Sequence, residues 1–84
     1  MPYIKKSDRS KLDDDIDLLG DLIANAGEFN YAVSMLAKKY IEKHGECYQK
    51  YNDLMGALTG IQLELYRRNI SNYEDIKIEE NGDI

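Results

Sequence analysis

The stretch YQKYNDLMGALTGIQLELYRR, residues 48–68, predicts one long amphipathic helix, and the rest of the fold follows from it. Its apolar residues recur at the three- and four-residue spacing of one helix face, namely at Tyr51, Leu54, Met55, Leu58, Ile61 and Leu65. Twenty-one residues at about 1.5 Å each form a helix about 30 Å long, the width of a small domain. Such a face needs other apolar surfaces to cover it.

The opposite side of this helix carries two glycines where an ordinary solvent-exposed face is expected. Gly56, Gly60 and Leu63 all fall there. A glycine in a helix interior costs about 1 kcal/mol relative to alanine, and the close approach of a second backbone is the expected compensation. We therefore predict a homo-oligomer, either a dimer or a higher symmetric form, with an interface that includes Met35, Gly56, Gly60 and Leu63.

Length and composition place the chain among small acidic helical proteins. Its 84 residues, 43% hydrophobic and 32% charged, suit one domain over residues 1–84, near the lower size limit for a single core. The net charge of -5 argues against general nucleic-acid binding. Cys47 has no second cysteine for an internal disulfide, and no apolar run has the length of a signal peptide or a membrane span. We expect a cytoplasmic protein that does not bind membranes.

Two shorter helices precede the long one, so the sequence predicts an all-α, three-helix bundle or helical hairpin with extended N- and C-terminal arms. The helices are expected at about residues 8–25, 28–44 and 47–70, with short loops that favour antiparallel neighbours. Gly27 is expected to end the first helix in the left-handed conformation, and Gly45 to end the second. The predicted core is the apolar stripe of the three helices: Leu12, Ile16, Leu19, Ile23, Phe29, Val33, Leu36, Tyr40, Leu54, Leu58, Ile61 and Leu65.

Acidic residues are concentrated near the start of the first helix, in the run Asp13-Asp14-Asp15. Ser7, Asp8 or Asp13 is expected to cap this helix, and carboxylates there interact favourably with the positive end of the helix dipole. We interpret the run as a solvated first turn, because consecutive helical residues fan apart and do not converge on a metal ion.

The last fourteen residues lack the helical pattern. After Arg67-Arg68 the apolar period fades, and in SNYEDIKIEENGDI, residues 71–84, Ile76 and Ile78 alternate with polar residues. This alternation predicts an extended arm that docks through Tyr73, Ile76 and Ile78, with residues 79–84 flexible.

The middle of the chain holds the candidate binding residues, because most acidic residues lie outside it. No Gly-rich phosphate loop or nucleophile–base pair is present, so we expect a non-enzymatic protein without metal or cofactor. Antiparallel packing of the second and third helices would gather a group that suits a small phosphorylated or nucleotide ligand: Asn30, Tyr31, Lys38, Tyr66, Arg67 and Arg68. Adjacent arginines point about 100° apart on a helix, so we do not expect them to grip one phosphate together. Alternatively, Arg67 and Arg68 only pair with Glu64 or with acidic residues of the tail.

Four motifs resemble a family of small uncharacterised proteins found mainly in phage and prophage sequences. They are MPYIKKSDR at residues 1–9, GEFNY at 27–31, LELYRR at 63–68 and YEDIKIEENGD at 73–83, which together cover nearly the whole chain. Members of that family often read GELNY, and they often carry Cys at the position of Gly60. The resemblance implies a phage setting and no particular activity.

A small phage protein without catalytic groups commonly acts by stoichiometric binding. A counter-defence protein that sequesters a nucleotide signal needs tyrosines and arginines around a pocket between subunits, and the candidate residues supply them. An inhibitor of a host defence protein needs an exposed patch, and the acidic first helix supplies one. The tyrosines and arginines favour ligand binding, and a structural helper protein is the third alternative.

Overall fold

The computed structural model describes residues 4–84, and every regular element in that range is helical. In chain order the elements are a 3-10 turn, Lys6–Asp8; α1, Ser10–Leu22; α2, Ala26–His44; α3, Tyr48–Leu65; a π-helical turn, Tyr66–Ile70; and α4, Ser71–Asn81. The residues that join α3, the π turn and α4 all have helical backbone angles, so these segments form one uninterrupted helix. The predicted all-α, three-helix fold is thus confirmed for the described residues. Residues 1–3 of the predicted N-terminal arm lie outside the described residues.

The junction between α1 and α2 differs from the prediction. α1 ends at Leu22, and Gly27 lies in the first turn of α2 instead of ending α1 in the left-handed conformation. Asn25 is the cause, because its Oδ1 accepts the backbone N–H of Glu28 at 2.9 Å. The Glu28 carboxylate in turn accepts the backbone N–H of Ala24 at 2.8 Å. This arrangement is a variant of the capping box, in which the glutamate binds the N–H of the residue before the cap, and it starts a helix rather than ending one.

The start of α1 also differs from the prediction, since no side chain caps it. Arg9, the residue before the helix, already has helical backbone angles, and its N–H donates to the carbonyl of Lys6. The chain therefore passes from the 3-10 turn straight into α1. This path leaves no extended residue at which Ser7, Asp8 or Asp13 would act as a cap.

Glycines with positive φ end two of the helices. Gly45, with a φ of 88°, follows α2 as predicted, and Gly82, with a φ of 84°, follows α4. The left-handed backbone at both positions is one that glycine adopts without a steric cost.

The prediction of an extended arm after residue 70 is wrong, because residues 71–81 form α4. The π turn explains why the helical pattern was hidden. The N–H of Ser71 donates to the carbonyl of Tyr66, five residues back, so this turn holds one residue more than an α-helical turn. Everything after it is displaced by one position, or about 100° around the helix.

The displacement restores a continuous apolar face. α-helical spacing from Leu58 and Leu65 leads to Asn69 and Asn72, which are polar. With one extra residue in the π turn, the same face continues instead at Ile70 and Tyr73. The pattern therefore changes phase after the arginines but does not end there.

The predicted core is not formed within one chain, where Ile41 alone is buried among residues 4–84. Five predicted core residues are only half-buried: Leu19, Ile23, Val33, Leu54 and Leu58. The other seven are exposed: Leu12, Ile16, Phe29, Leu36, Tyr40, Ile61 and Leu65. The chain divides into two units, residues 1–44 with α1 and α2 and residues 45–84 with the long helix. Neither unit by itself has enough layers to enclose an apolar face.

Candidate functional site

The six predicted ligand-binding residues lie in two different units. Asn30, Tyr31 and Lys38 belong to α2, whereas Tyr66, Arg67 and Arg68 belong to the π turn. The candidate residues thus form two separate groups, called the two candidate half-sites below, one on the surface of α2 and one at the π turn.

The first half-site lies at an open groove of about 620 Å³ between α1 and α2. The capping box at Asn25 shapes this groove, because it starts α2 only four residues after α1 ends. The groove is lined by apolar residues of both helices, namely Leu19, Leu22, Ile23, Tyr31, Ala32, Met35 and Leu36, and by charged residues, namely Glu28, Lys38, Lys39 and Glu42. Tyr31 and Lys38 therefore face a common space, and Asn30 is not part of its lining.

The second half-site contains two arginines that share one carboxylate. The Nε of Arg68 donates to the Oε2 of Glu64 at 2.7 Å, and an Nη of Arg67 donates to the same oxygen at 3.3 Å. Pairing with Glu64, the alternative that the sequence left open, is thus formed. Both side chains therefore reach a single oxygen, which belongs to a carboxylate one turn earlier on their own helix. The expectation that the two arginines do not grip one phosphate from one helix stays a prediction.

Both arginine side chains remain accessible beside Glu64. Arg67 is 66% exposed and Arg68 is 56% exposed. A guanidinium group has five N–H donors, so a single bond to Glu64 leaves each arginine with capacity to bind a further anion. Two cations on one carboxylate also leave an excess of positive charge at this point of the helix.

Tyr66 bridges the π turn. Its hydroxyl donates to the Oε2 of Glu74 at 3.2 Å, and this bond to a carboxylate raises the pKa of Tyr66. From α4, the Asn72 side chain donates to the carbonyl of Arg68 in the turn at 2.8 Å. These two bonds connect the arginine segment to α4, so the arginines are held on ordered backbone.

The predicted interface residues lie on α2 and α3. Met35 lines the groove, and Leu63 is 65% exposed. A Cβ added at Gly56 would meet no atom within 4 Å, so nothing in the described chain requires glycine there. Gly60 is half-exposed. The predicted contact with a second chain at these positions stays a prediction.

The acidic residues of α1 are exposed and form no ion pair within the described part of the chain: Asp13, Asp14, Asp15, Asp17 and Asp21. Over residues 4–84, no three His, Cys, Asp or Glu side chains are placed to hold a metal ion. None of the described helices combines the length and the apolar character needed to cross a membrane.

Sequence reasoning missed two features of these half-sites. The groove depends on Leu19, Leu22 and Ile23 meeting α2 across a short connection, and the signal for that connection was the capping pair Asn25 and Glu28. The π turn has a weaker signal, namely that the apolar pattern resumes one position late after the arginines.

A family model described as "Domain of unknown function (DUF6899)" matches residues 1–84, and the chain belongs to this family. No curated protein and no solved structure matches the chain. The match confirms the resemblance to an uncharacterised family, and it assigns no activity to the two half-sites.

Proposed function

We propose that this family member is a non-enzymatic binding protein that acts as a homo-oligomer. One observation carries the proposal: within residues 4–84 only Ile41 is buried, while large side chains such as Ile16, Phe29 and Leu63 are more than half exposed. Burying one such side chain contributes about 1.5–3 kcal/mol, and large apolar patches on soluble chains mark interaction surfaces. A second copy would supply the missing apolar layer.

The glycines of α3 favour a contact between copies on that helix. The space beside Gly56 is open, so a second backbone has room to approach there at helix-packing distance. Gly60 and Leu63 lie on the same side in the sequence pattern, and Met35 adds apolar surface on α2. We propose that these four residues belong to the interface.

The proposed ligand is a small phosphorylated or nucleotide signal, held where subunits meet. Tyr31 and Lys38 offer an aromatic ring and a cation at the groove. Arg67 and Arg68 offer two guanidinium groups that already converge on one anionic oxygen. Convergence of this kind suits a phosphate oxygen, and a tyrosine ring suits stacking on a base.

The resemblance to phage and prophage proteins supports an accessory role in an infected cell. A protein without catalytic groups acts there by stoichiometric binding, and sequestering a host defence signal is one such activity. We therefore propose a counter-defence role for the ligand-binding oligomer.

A second candidate function is inhibition of a host protein by α1. The exposed aspartates of this helix, which form no ion pair with residues 4–84, favour it, because a row of carboxylates presents negative charge as a nucleic-acid backbone does. A structural helper role would use the apolar faces alone.

Native mass spectrometry after incubation with a nucleotide-rich lysate tests the proposal, because it reports assembly and bound small molecules together. The expected result is a mass of two or more chains with an added small ligand. A single chain without added mass contradicts the proposal, and a copurified host protein favours the inhibitor.

A further inference from the structure

The groove between α1 and α2 matches one segment of the chain itself. We propose that α4 of a second copy occupies this groove and runs parallel to α2. The inference rests on the proposed homo-oligomer and identifies which surfaces of the two copies meet.

The chemistry of the groove indicates what kind of segment fits it. Apolar side chains of α1 and α2 line it. Its charged residues are Glu28 near the start of α2 and Lys38, Lys39 and Glu42 towards the C-terminal end of α2, where the two lysines outnumber the one glutamate. An occupant that satisfies both features carries an apolar stripe for the lining and acidic side chains for the lysines.

α4 has this composition. Tyr73 and Ile76 are three residues apart, which places them on neighbouring positions of one helix face, and they are 59% and 54% exposed. The segment is acidic, with Glu79 and Glu80 in its last turn. An apolar and acidic helix therefore exists in every copy of the chain and is exposed.

The spacing of charged residues on α2 and on the α4 segment indicates that the two helices run parallel. Lys39 follows Glu28 by eleven residues, and Glu79 follows Arg68 by eleven residues. Glu28 and Lys39 are about 16 Å apart along α2, because an α-helix rises by about 1.5 Å per residue. The stretch from Arg68 to Glu79 begins inside the π turn and covers a similar distance. A parallel arrangement therefore sets opposite charges at both ends, whereas an antiparallel one sets Glu79 against Glu28.

A parallel register also aligns the apolar residues. Aligning Glu79 of α4 with Lys39 of α2 brings Ile76 opposite Leu36 of the groove. The same register brings Tyr73 opposite Val33, an apolar residue of α2 that is not part of the groove lining. Leu36 lines the groove and is more than half exposed, so it lacks cover within its own chain.

Packing α2 against α2 of the second copy is less favourable in both directions. A parallel pair sets Lys38 against Lys38, and an antiparallel pair centred on Met35 sets Glu28 against Glu42. Like charges directly opposite each other across an interface oppose association.

This docking completes the proposed ligand site across two copies. α4 begins directly after the π turn, so its docking brings Arg67 and Arg68 of one copy to the end of the groove where Tyr31 of the other copy lies. Two copies that exchange α4 reciprocally form a closed, symmetric dimer with two such sites.

Disulfide trapping tests the contact. In the Cys47→Ser background, one tagged chain carries Leu36→Cys and a second, differently tagged chain carries Ile76→Cys. The expected result after mixing and oxidation is a disulfide between the two chains. The matched control replaces Leu36→Cys by Asp14→Cys on the exposed acidic side of α1, and it should crosslink far less.

Exchanging the charges of the groove and of α4 tests whether α4 runs parallel to α2. This test needs no cysteine in the packed interface. Lys38→Glu/Lys39→Glu and Glu79→Lys/Glu80→Lys should each raise the dissociation constant of the homo-oligomer about tenfold. Mixing the two variants should restore association, because each groove then meets α4 of opposite charge. Lys5→Glu/Lys11→Glu, which lies outside both surfaces, should leave association unchanged.

Three outcomes would overturn the inference. An oligomer whose Leu36 and Ile76 variants crosslink no better than the Asp14 control, with no recovery on charge exchange, rules out this docking and leaves the homo-oligomer standing. A chain that carries both cysteines and closes the disulfide at the mass of one chain places α4 on its own groove. A monomer by sedimentation removes both the docking and the oligomer.

Discussion

At the scale of single residues, Glu64 organises the second half-site. Its Oε2 accepts N–H groups from both Arg67 and Arg68. Exposed ion pairs of this kind contribute at most about 1 kcal/mol to stability, so an anion with better geometry can compete with Glu64 for both arginines. The two arginines are therefore compatible with a binding role. Removing them should lower the affinity for a ligand more than it lowers the stability of the fold.

The variant Arg67→Ala/Arg68→Ala tests this role. A charge-assisted hydrogen bond contributes about 1.5–3 kcal/mol, so loss of both arginines should weaken binding of a phosphorylated ligand at least about tenfold. Calorimetry against cyclic and adenine-containing nucleotides measures the change. Lys5→Ala and Lys50→Ala serve as controls with little expected effect. Equal affinity in the double variant would refute these two residues as ligand contacts.

Asn25 is the residue on which the α1–α2 junction depends. Its replacement by alanine removes the acceptor for the Glu28 N–H and should lower the free energy of unfolding by about 0.5–2 kcal/mol. Urea denaturation followed by circular dichroism measures the loss. Asn30→Ala, an asparagine on the exposed side of the same helix, should change stability by less than about 0.5 kcal/mol. Equal losses in both variants would show that the cap has no special part in folding.

At the scale of elements, the π turn explains how a long helix keeps its apolar face. Its extra residue moves Ile70 and Tyr73 onto the face of Leu58 and Leu65. π turns of this kind often arise at functional positions, and this one contains both arginines. The helix thus combines a continuous apolar face with an ordered basic segment.

Deletion of Asn69 tests the phase argument. Without this residue, ordinary α-helical spacing carries the apolar face from Leu65 to Ile70, so helix content and self-association should be retained, with equal or higher thermal stability. Deletion of Thr59 in α3 is the matched control. It rotates one part of the face by about 100° against the rest and should abolish self-association. Circular dichroism and sedimentation read out both deletions, and loss of association in both would contradict the assigned phase.

The elements also show where sequence reasoning succeeds and where it fails. The long periodic stretch of residues 48–65 and the glycine after α2 were predictable, because amphipathic spacing and left-handed glycines act locally. Gly27 was misleading, because a glycine after an apolar stripe resembles a helix end whereas the Asn25–Glu28 pair starts a helix. The tail was missed because the π turn shifts the period. The residues of the candidate site stay a prediction. The groove could not be predicted, because it depends on how α1 and α2 are placed beside each other.

At the scale of the whole molecule, the exposed apolar surface is the dominant feature. The helical elements of the described chain leave large side chains of both units in solvent, including Leu22 at 70% and Phe29 at 57% exposed. Helices of this length are marginal in water without a packed face. The proposed association of copies therefore stabilises the helices and creates the binding site in one step, and folding should depend on concentration.

Substitutions of Gly56 test whether the exposed apolar surface is covered by a second copy. A Cβ there meets nothing within the chain, so Gly56→Ala in an isolated monomer would raise stability by about 1 kcal/mol through helix propensity. In an oligomer with a close contact at this position, Gly56→Leu should weaken association while helix content stays unchanged. Thermal unfolding of Gly56→Ala at several protein concentrations distinguishes a monomer from an oligomer. A monomer gains stability equally at every concentration, whereas in an oligomer the unfolding temperature depends on concentration.

The central claim is that copies of this chain assemble through their exposed apolar faces, and sedimentation velocity of the native protein and of Gly56→Leu at tens of micromolar tests it most directly. We predict a dimer or a higher symmetric form for the native chain, with a shift towards smaller species in the variant at unchanged helix content. A native monomer at that concentration, with identical sedimentation of the variant, would contradict the account.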